Sequence, residues 1–297
     1  MKNGARVAVV VPAYNEERLV ARTLRTIPHY VDHVVVVDDA STDRTADEIA
    51  SVADERVELL QHDRNRGVGA AIVTGYRRAF AAGAKVAAVM AGDGQMDPRD
   101  LDALLAPVLS GEADYAKGDR LSHREVLARM PLTRWLGSHG LSAMTRLTTG
   151  LDVRDSQCGY TALRREAFAR LDALDSMDAL WPGYGYPNDL LSRMAVAGVR
   201  VADVIVRPVY GDEESGIRAR HLVTAFPRVL ATSLARRVRA ARSDELRPIT
   251  SGAPLRDGIP TPANGGRRRP TASPLRSEVE LEPSPRGCDE PILRASP

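Results

Sequence analysis

The chain has 297 residues, 43% of them hydrophobic, and a formal net charge of +2 at pH 7. That suffices for one α/β domain with a sizeable core, and the near-neutral balance gives no reason to expect nucleic-acid binding by bulk charge. The two cysteines, Cys158 and Cys288, disfavour a disulfide framework and favour a cytosolic setting.

Met1 to Val11 leads straight into a strand-like run, so no signal peptide is expected. No apolar stretch approaches the roughly 20 residues needed to span a bilayer, so membrane contact is expected to be peripheral, at the cytoplasmic face. Three apolar, β-branched runs predict buried parallel strands: Val7 to Val11, His33 to Val37 and Val86 to Met90. Helical patterns at Glu16–Ile27, Thr45–Ala53 and Gly69–Ala82 separate them, with Ser41-Thr42-Asp43 capping the second. This βαβαβ order predicts a doubly wound sheet, with Arg56–Gln61 as a further short strand. Helices follow at 100–109, 132–148, 165–171 and 188–197, and strands at 114–117, 159–163 and 199–209. From His221 to Arg242 an amphipathic helix sets Leu222, Phe226, Val229, Leu230, Leu234 and Val238 against five arginines. Ten of the nineteen prolines fall in 243–297, with Gly-Gly-Arg-Arg-Arg at 265–269. That composition predicts a disordered tail.

The strand ends carry the polar residues. The first runs into Pro12-Ala13-Tyr14-Asn15-Glu16-Glu17, at the loop where a doubly wound sheet binds nucleotides. The Gly-x-Gly-x-x-Gly of a nicotinamide dehydrogenase is missing there. Tyr14 can stack on a base and Glu16 can accept from ribose hydroxyls; a turn with acids at a helix start, favoured by the dipole, accounts equally for both. The second strand ends in Asp38-Asp39. Asp39 suits the imide N–H of uracil or the N1–H and amino group of guanine, while Asp43 caps the next helix. Asn65-Arg66-Gly67-Val68-Gly69-Ala70-Ala71 allows a helix to approach the sheet or a ligand closely. After the third strand come Ala91-Gly92-Asp93-Gly94-Gln95-Met96-Asp97-Pro98. Asp93 and Gln95 offer the oxygen ligands that Mg²⁺ or Mn²⁺ prefers, and in isolation the same residues read as an Asp-Gly turn before a helix. The six histidines are scattered without ligand spacing, which disfavours zinc. Trp135 and Trp181 read as core or rim aromatics.

Taken in order, these segments resemble the family 2 glycosyltransferases of the GT-A fold, nearest to the dolichol-phosphate (polyprenol-phosphate) mannosyl- and glucosyltransferases. The resemblance rests on Val-Pro-Ala-Tyr-Asn-Glu-Glu at 11–17, Val-Val-Asp-Asp-Ala-Ser-Thr-Asp at 36–43 and Asn-Arg-Gly-Val-Gly-Ala-Ala at 65–71. It continues through Gly-Asp-Gly-Gln-Met-Asp-Pro at 92–98, Lys-Gly-Asp-Arg at 117–120 and Asp-Ser-Gln-Cys-Gly-Tyr at 155–160. It implies a mostly parallel, Rossmann-like GT-A domain over 1–215, followed by the amphipathic basic helix at 216–242 and the tail at 243–297. It implies a nucleotide sugar, of GDP-mannose or UDP-glucose type, held by Pro12, Ala13, Tyr14, Glu16, Val37, Asp39, Gly92, Asp93 and Gln95, with Mg²⁺ or Mn²⁺ on Asp93 and Gln95. Arg120, helped by Arg134, would touch the donor diphosphate or the acceptor phosphate, and Gln157 and Arg218 would meet the acceptor.

The sequence departs from the family pattern where Ala91 replaces the first aspartate of the usual Asp-x-Asp, leaving Asp93, Gln95, donor phosphates and water to hold the metal. The basic loop near the carboxyl end reads Tyr210-Gly-Asp-Glu-Glu-Ser-Gly-Ile-Arg218. The membrane segments of some relatives are missing. The family transfers sugar with inversion. A polyprenyl-phosphate acceptor is already ionised, with a second pKa of about 6, and needs steering by arginines such as Arg120 rather than a base. A hydroxyl acceptor on a soluble saccharide or metabolite would need a base, for which Asp189 is the candidate; capping a helix is its other reading. The 221–242 helix has three uses open to it: lying in the bilayer interface with its arginines on anionic lipid, packing on the domain, or forming a homo-oligomer. A degenerate nucleotide-sugar-binding protein is the non-enzymatic alternative that Ala91 raises.

Overall fold

A computed structural model describes residues 1–209 and 219–242. The predicted tail at 243–297 and the 210–218 loop, with Arg218, lie outside the described residues. Seven strands form one sheet in the order β3-β2-β1-β4-β6-β5-β7. They are β1 (Val7–Ala13), β2 (His33–Asp38), β3 (Val57–Gln61), β4 (Val86–Val89), β5 (Tyr115–Asp119), β6 (Thr161–Arg164) and β7 (Val201–Ile205). β1 is buried along its whole length because it sits between β2 and β4, parallel to both, with Val10 opposite Val35 on one side and Val89 on the other. A strand covered on both faces has no polar side to alternate with, hence the unbroken Val-Ala run.

Nine helices occupy the described residues: α1 (Val20–Thr26), α2 (Thr45–Ala50), α3 (Val68–Ala81), α4 (Leu101–Ser110), α5 (Val126–Arg129), α6 (Leu132–Thr149), α7 (Arg165–Leu174), α8 (Tyr186–Val196) and α9 (Ala219–Arg242). Successive strand residues point to opposite faces, so β2 divides its valines between two cores. Val35 and Val37 join Ile72 and Tyr76 of α3 and Leu190 of α8, while Val34 and Val36 join Leu24 of α1 and Leu104 of α4.

The predicted elements are present, with two informative shifts. α1 begins at Val20 instead of Glu16 because Asn15 takes a left-handed φ of 55° and the next amides are claimed by a neighbouring loop, described below. β6 runs antiparallel to both β4 and β5. The chain leaves β5 at its carboxyl end, passes through α5 and α6, and returns at that same end, where the Gly118 N–H donates to the Tyr160 carbonyl over 2.8 Å. The return brings residues 155–160 beside Arg120.

α3 lies close on β1 because position 75 has no side chain: a Cβ there would run into Val10 Cγ1. Valine is stiff at χ1, so Gly75→Ala is expected to cost about 1–3 kcal/mol of overpacking, read as a melting temperature lowered by roughly 2–4 °C per kcal/mol. Gly137→Ala in α6, where a Cβ meets nothing within 4 Å, should leave the melting temperature unchanged or raise it.

α9 packs on α8 and α6. Phe226, Val229 and Leu230 of its expected apolar face are buried, whereas Leu234 and Val238 are 49% and 42% exposed. Three of the five described residues of that face therefore meet the protein.

Candidate active site

The loops after β1 and β2 are laced together by backbone-to-side-chain bonds. The Asn15 N–H donates to Ser41 Oγ at 2.9 Å, the Glu16 N–H to Thr45 Oγ1 at 2.8 Å and the Glu17 N–H to Asp43 Oδ2 at 3.3 Å. In return Asn15 Oδ1 accepts from the Thr42 N–H at 2.9 Å. Asp43 also takes the Thr45 N–H at 3.0 Å, in keeping with its expected capping role. This lacing holds Tyr14 out, 45% exposed, and aims Glu16 inward.

Glu16 lies near Asp93. Burial, and then the charges of Asp93 and Asp43, push its carboxyl up to about 7. Asp93 lies in the loop after β4, where its Oδ1 accepts the Gln95 N–H at 3.0 Å. That loop is pinned to the first by the Gly92 N–H, which donates to the Pro12 carbonyl at 3.2 Å, and by the Thr23 hydroxyl, which donates to the Gly92 carbonyl at 3.1 Å. Pro12, Ala13, Glu16, Gly92, Asp93 and Gln95 thus share one edge of the sheet, beyond its carboxyl ends. Two carboxylates that repel one another in a half-buried pocket are a place where a hard cation is favoured. Among the described residues no three His, Cys, Asp or Glu side chains are grouped to hold a metal, so an ion here would draw further ligands from a phosphate and water.

Val37 does not line this edge, since its side chain belongs to the core. Asp39 is placed there but its carboxylate is already engaged. Oδ1 accepts from His62 Nδ1 at 2.6 Å and the Arg66 N–H at 2.8 Å, and Oδ2 from the Gly67 N–H at 2.7 Å. His62 reaches Thr74 Oγ1 at 3.0 Å through its other nitrogen. Asp39 therefore organises the 65–67 turn. Sequence reasoning passed over His62 among scattered histidines; its place directly after β3, level with the Asp38–Asp39 strand end, was the available signal. The turn is close-packed, because Cβ atoms at Gly67 and Gly69 would run into the carbonyls of Pro182 and Trp181.

The other half of the edge is cationic. Arg120, next after β5, pairs in fork geometry with the fully buried Asp155: Nε to Oδ2 at 2.8 Å and Nη2 to Oδ1 at 3.1 Å. Asp155 also accepts the Gln157 N–H at 3.2 Å, so Arg120 and Gln157 meet through it. Burial alone would raise the Asp155 carboxyl, but the charges and hydrogen bonds of Arg120, with Lys117, hold it below the usual carboxylate range. Lys117 lies inside the sheet with no exposed surface, its Nζ donating to the Cys158 carbonyl at 2.6 Å, and burial lowers its pKa. Nearby Asp203 is pushed up to about 7, chiefly by burial, with the Asp119 charge adding to it. The Lys-Gly-Asp-Arg segment alone assigns Lys117 no role; a lysine inside an otherwise apolar strand is the signal.

Arg134 stands half-buried in the first turn of α6. Asp189 is bound elsewhere. Its Oδ2 accepts the Trp181 N–H at 3.1 Å and Arg193 Nε at 3.2 Å, and its Oδ1 accepts Arg236 Nη1 at 3.0 Å. It joins α8 to α9, a use that the helix-start reading of Asn188-Asp189 did not include.

A mostly parallel sheet carrying the Glu16–Asp93 carboxylate pair beside an arginine–carboxylate cluster, both at the strand carboxyl ends, is the architecture of a GT-A glycosyltransferase. The family model for glycosyl transferase family 2 matches residues 8–172, and the chain belongs to that family. It is 32% identical over 219 residues to polyprenol monophosphomannose synthase of Mycolicibacterium smegmatis, covering 71% of this chain and 80% of that one. It is 31% identical to a UDP-N-acetylglucosamine–dolichyl-phosphate N-acetylglucosaminyltransferase of Methanococcus voltae over 54% of this chain and 70% of the relative. The fold is shared with glucosyl-3-phosphoglycerate synthase of Mycobacterium tuberculosis, solved with Mn²⁺, UDP and glucosyl-3-phosphoglycerate, at a TM-score of 0.57 and 22% identity over 79% of this chain and 81% of that one. The protein is an enzyme, a glycosyltransferase.

Proposed function

We propose that this enzyme moves a hexose from a nucleotide sugar to a polyprenyl phosphate at the cytoplasmic membrane face, with inversion at the anomeric carbon. One observation carries the choice of acceptor: Asp189, the carboxylate expected as a base, and Asp155 beside Arg120 are both taken up by arginines. A hydroxyl acceptor needs a base to remove its proton; a phosphate arrives ionised and needs only positive charge to guide it. Arg120, held by Asp155, is that charge. An acceptor phosphate oxygen bonds to the anomeric carbon as the bond to the nucleoside diphosphate breaks, and the negative charge departs on the diphosphate. Asp93 and Gln95, with Glu16 facing them, would hold Mg²⁺ or Mn²⁺, which when bound neutralises that departing charge. The dolichyl phosphate in the name of one relative and the polyprenol monophosphomannose in that of another support the same reading.

Two measurements test it. In a thermal-shift panel with Mn²⁺, one of GDP-mannose, UDP-glucose and related donors should stabilise the protein selectively, by about 2.7 kcal/mol at 100 times its dissociation constant. Purified enzyme should then glycosylate polyprenyl phosphate in detergent. Equal transfer to a soluble alcohol without lipid phosphate would reject the acceptor assignment, and no transfer from any donor would favour a binding protein.

A further inference from the structure

β5 and β7 gather charge inside the fold. Lys117 of β5 stands opposite Asp203 of β7 in register, and Lys117 and Asp119, two apart on one strand, share a face. The segment before β6 adds Asp155, forked to Arg120 at 2.8 Å and 3.1 Å. Lys117, Asp119 and Asp155 are all buried. Three carboxylates therefore meet two cations. A buried charge without a counter-charge is costly, so the set is balanced when one carboxylate keeps its proton.

The hydrogen bonds say which one. Asp155 has its charge matched by the fork to Arg120, and Asp119 Oδ1 accepts the Ser122 N–H at 3.1 Å. Asp203 Oδ2 accepts the Arg154 N–H at 2.8 Å, while its buried Oδ1 has no hydrogen-bond partner among the described residues. The proton belongs on Asp203. Burial is the largest cause that pushes this carboxyl up to about 7; the Arg154 N–H and Lys117 favour ionisation, and Asp119 and Asp155 oppose it. The remaining titratable and charged groups of the elements packed there do not offset it. Burial keeps the protons on Tyr115 and Cys158. Arg146 of α6 is turned to the Val153 carbonyl at 3.1 Å, and Arg154 Nη1 reaches Ser122 Oγ at 3.4 Å.

We propose that Asp203 is a positioning residue for the acceptor loop: while it holds the proton of this set it anchors Arg154, and through the adjoining Asp155 it keeps Arg120 in place. Ionised, it leaves three anions against two cations. Lys117, Asp119 and Asp203 are built into strands, whereas Arg154 and Asp155 lie in a segment with neither strand nor helix. The repulsion is therefore relieved by that segment giving way, and the added negative charge also opposes an anionic acceptor. The inference rests on the lipid-phosphate reading only for the charge of the acceptor.

The test compares Asp203→Asn and Asp203→Ala with wild type in the full chain. Asparagine keeps an oxygen for the Arg154 N–H and cannot ionise; alanine removes the anchor. An unfolded aspartate ionises near 3.8, so the wild-type fold binds an extra proton between that value and about 7, and its stability falls as pH rises across that window. In chelator, the loss of urea midpoint from pH 5 to pH 8 should be smaller in Asp203→Asn. Amide exchange over 153–158 at pH 8 should be slower in that variant than in wild type. With polyprenyl phosphate in detergent, the acceptor KM of wild type should rise roughly fivefold more than that of Asp203→Asn between pH 6 and pH 8; ionisation of the acceptor itself is common to both, and the donor KM should not move. Asp203→Ala should raise the acceptor KM at both pH values, while asparagine keeps the wild-type value at pH 6. Lys117→Met removes a charge that favours ionisation and should move the transition to higher pH. A wild-type pH dependence of stability in Asp203→Asn overturns the inference. So does altered stability with exchange and acceptor KM as in wild type, which would make the proton a matter of folding alone. Wild type that transfers to no lipid phosphate rejects the acceptor reading, and the urea and exchange measurements still decide this one.

Discussion

Replacing Asp93 with asparagine is expected to lower transfer at least roughly 100-fold while making the protein without metal more stable above pH 7. Both effects come from one contact. Glu16 in the unfolded chain ionises near its ordinary 4.5, but in the fold burial, then Asp93, then Asp43, raise it to about 7. The folded state therefore binds more protons than the unfolded one between those values. Stability falls as pH rises through that window and stays reduced above it. Asparagine at 93 removes one of the two repelling charges, so Glu16 ionises at lower pH and the loss shrinks. The same change removes the anionic ligand that a divalent cation would use. Urea titrations at pH 5 and pH 8 in chelator should show a smaller pH dependence in Asp93→Asn than in wild type, and Mn²⁺ with donor should no longer raise the melting temperature. An unchanged pH dependence would mean that Asp93 does not act on Glu16. An unchanged metal-dependent shift would remove Asp93 from the metal site. Ala91→Asp provides the converse and should tighten metal binding if position 91 faces the same recess.

The parts of this molecule that could be read from residues alone are those where a single local rule decides the outcome. β1 and β2 are such cases, because a strand buried on both faces must be apolar throughout, and Val7–Val11 and Val34–Val37 are. The strand-end polar segments were legible for a related reason, as the carboxyl edge of a parallel sheet is where loops gather. What could not be read depends on partners distant in sequence. Asp189 reads from the sequence as a candidate base or a helix cap, yet its engagement with Arg236 spans 47 residues. Asp39 suits the reading of a base, and its oxygens also accept from His62, Arg66 and Gly67. Periodicity found α6 but not its orientation, because Ser142 and Thr145 face inward to satisfy Ser156 and Asn188. That preference is invisible to a rule that turns leucines toward the core.

Asp155→Asn should be the most damaging single polar substitution in the acceptor half. Asp155 is fully buried between Arg120 and Lys117. An amide there removes the carboxylate that pairs with Arg120 in a fork and that offsets the buried Lys117. Removing one partner of a buried pair costs about 3–5 kcal/mol, read as a melting temperature lower by roughly 10 °C in a chain of this size. The stabilisation that the carboxylate gives is present above its ordinary range and disappears as pH falls through its lowered value, so wild type and variant should converge in acid. Lys117→Met is expected to cost far less. It removes a charge that burial already disfavours, and leaves Arg120 and Asp155 as a matched fork. The double variant should therefore recover part of the lost stability, and the cycle measures the coupling between the two sites. Activity should separate from stability. Lys117→Met retains an Arg120 held in place and keeps most of its transfer rate, whereas the stabilised double variant still lacks the carboxylate that orients Arg120 and stays slow. Recovery of both stability and rate in the double variant would show that Asp155 serves only to balance charge and that Arg120 needs no positioning by it.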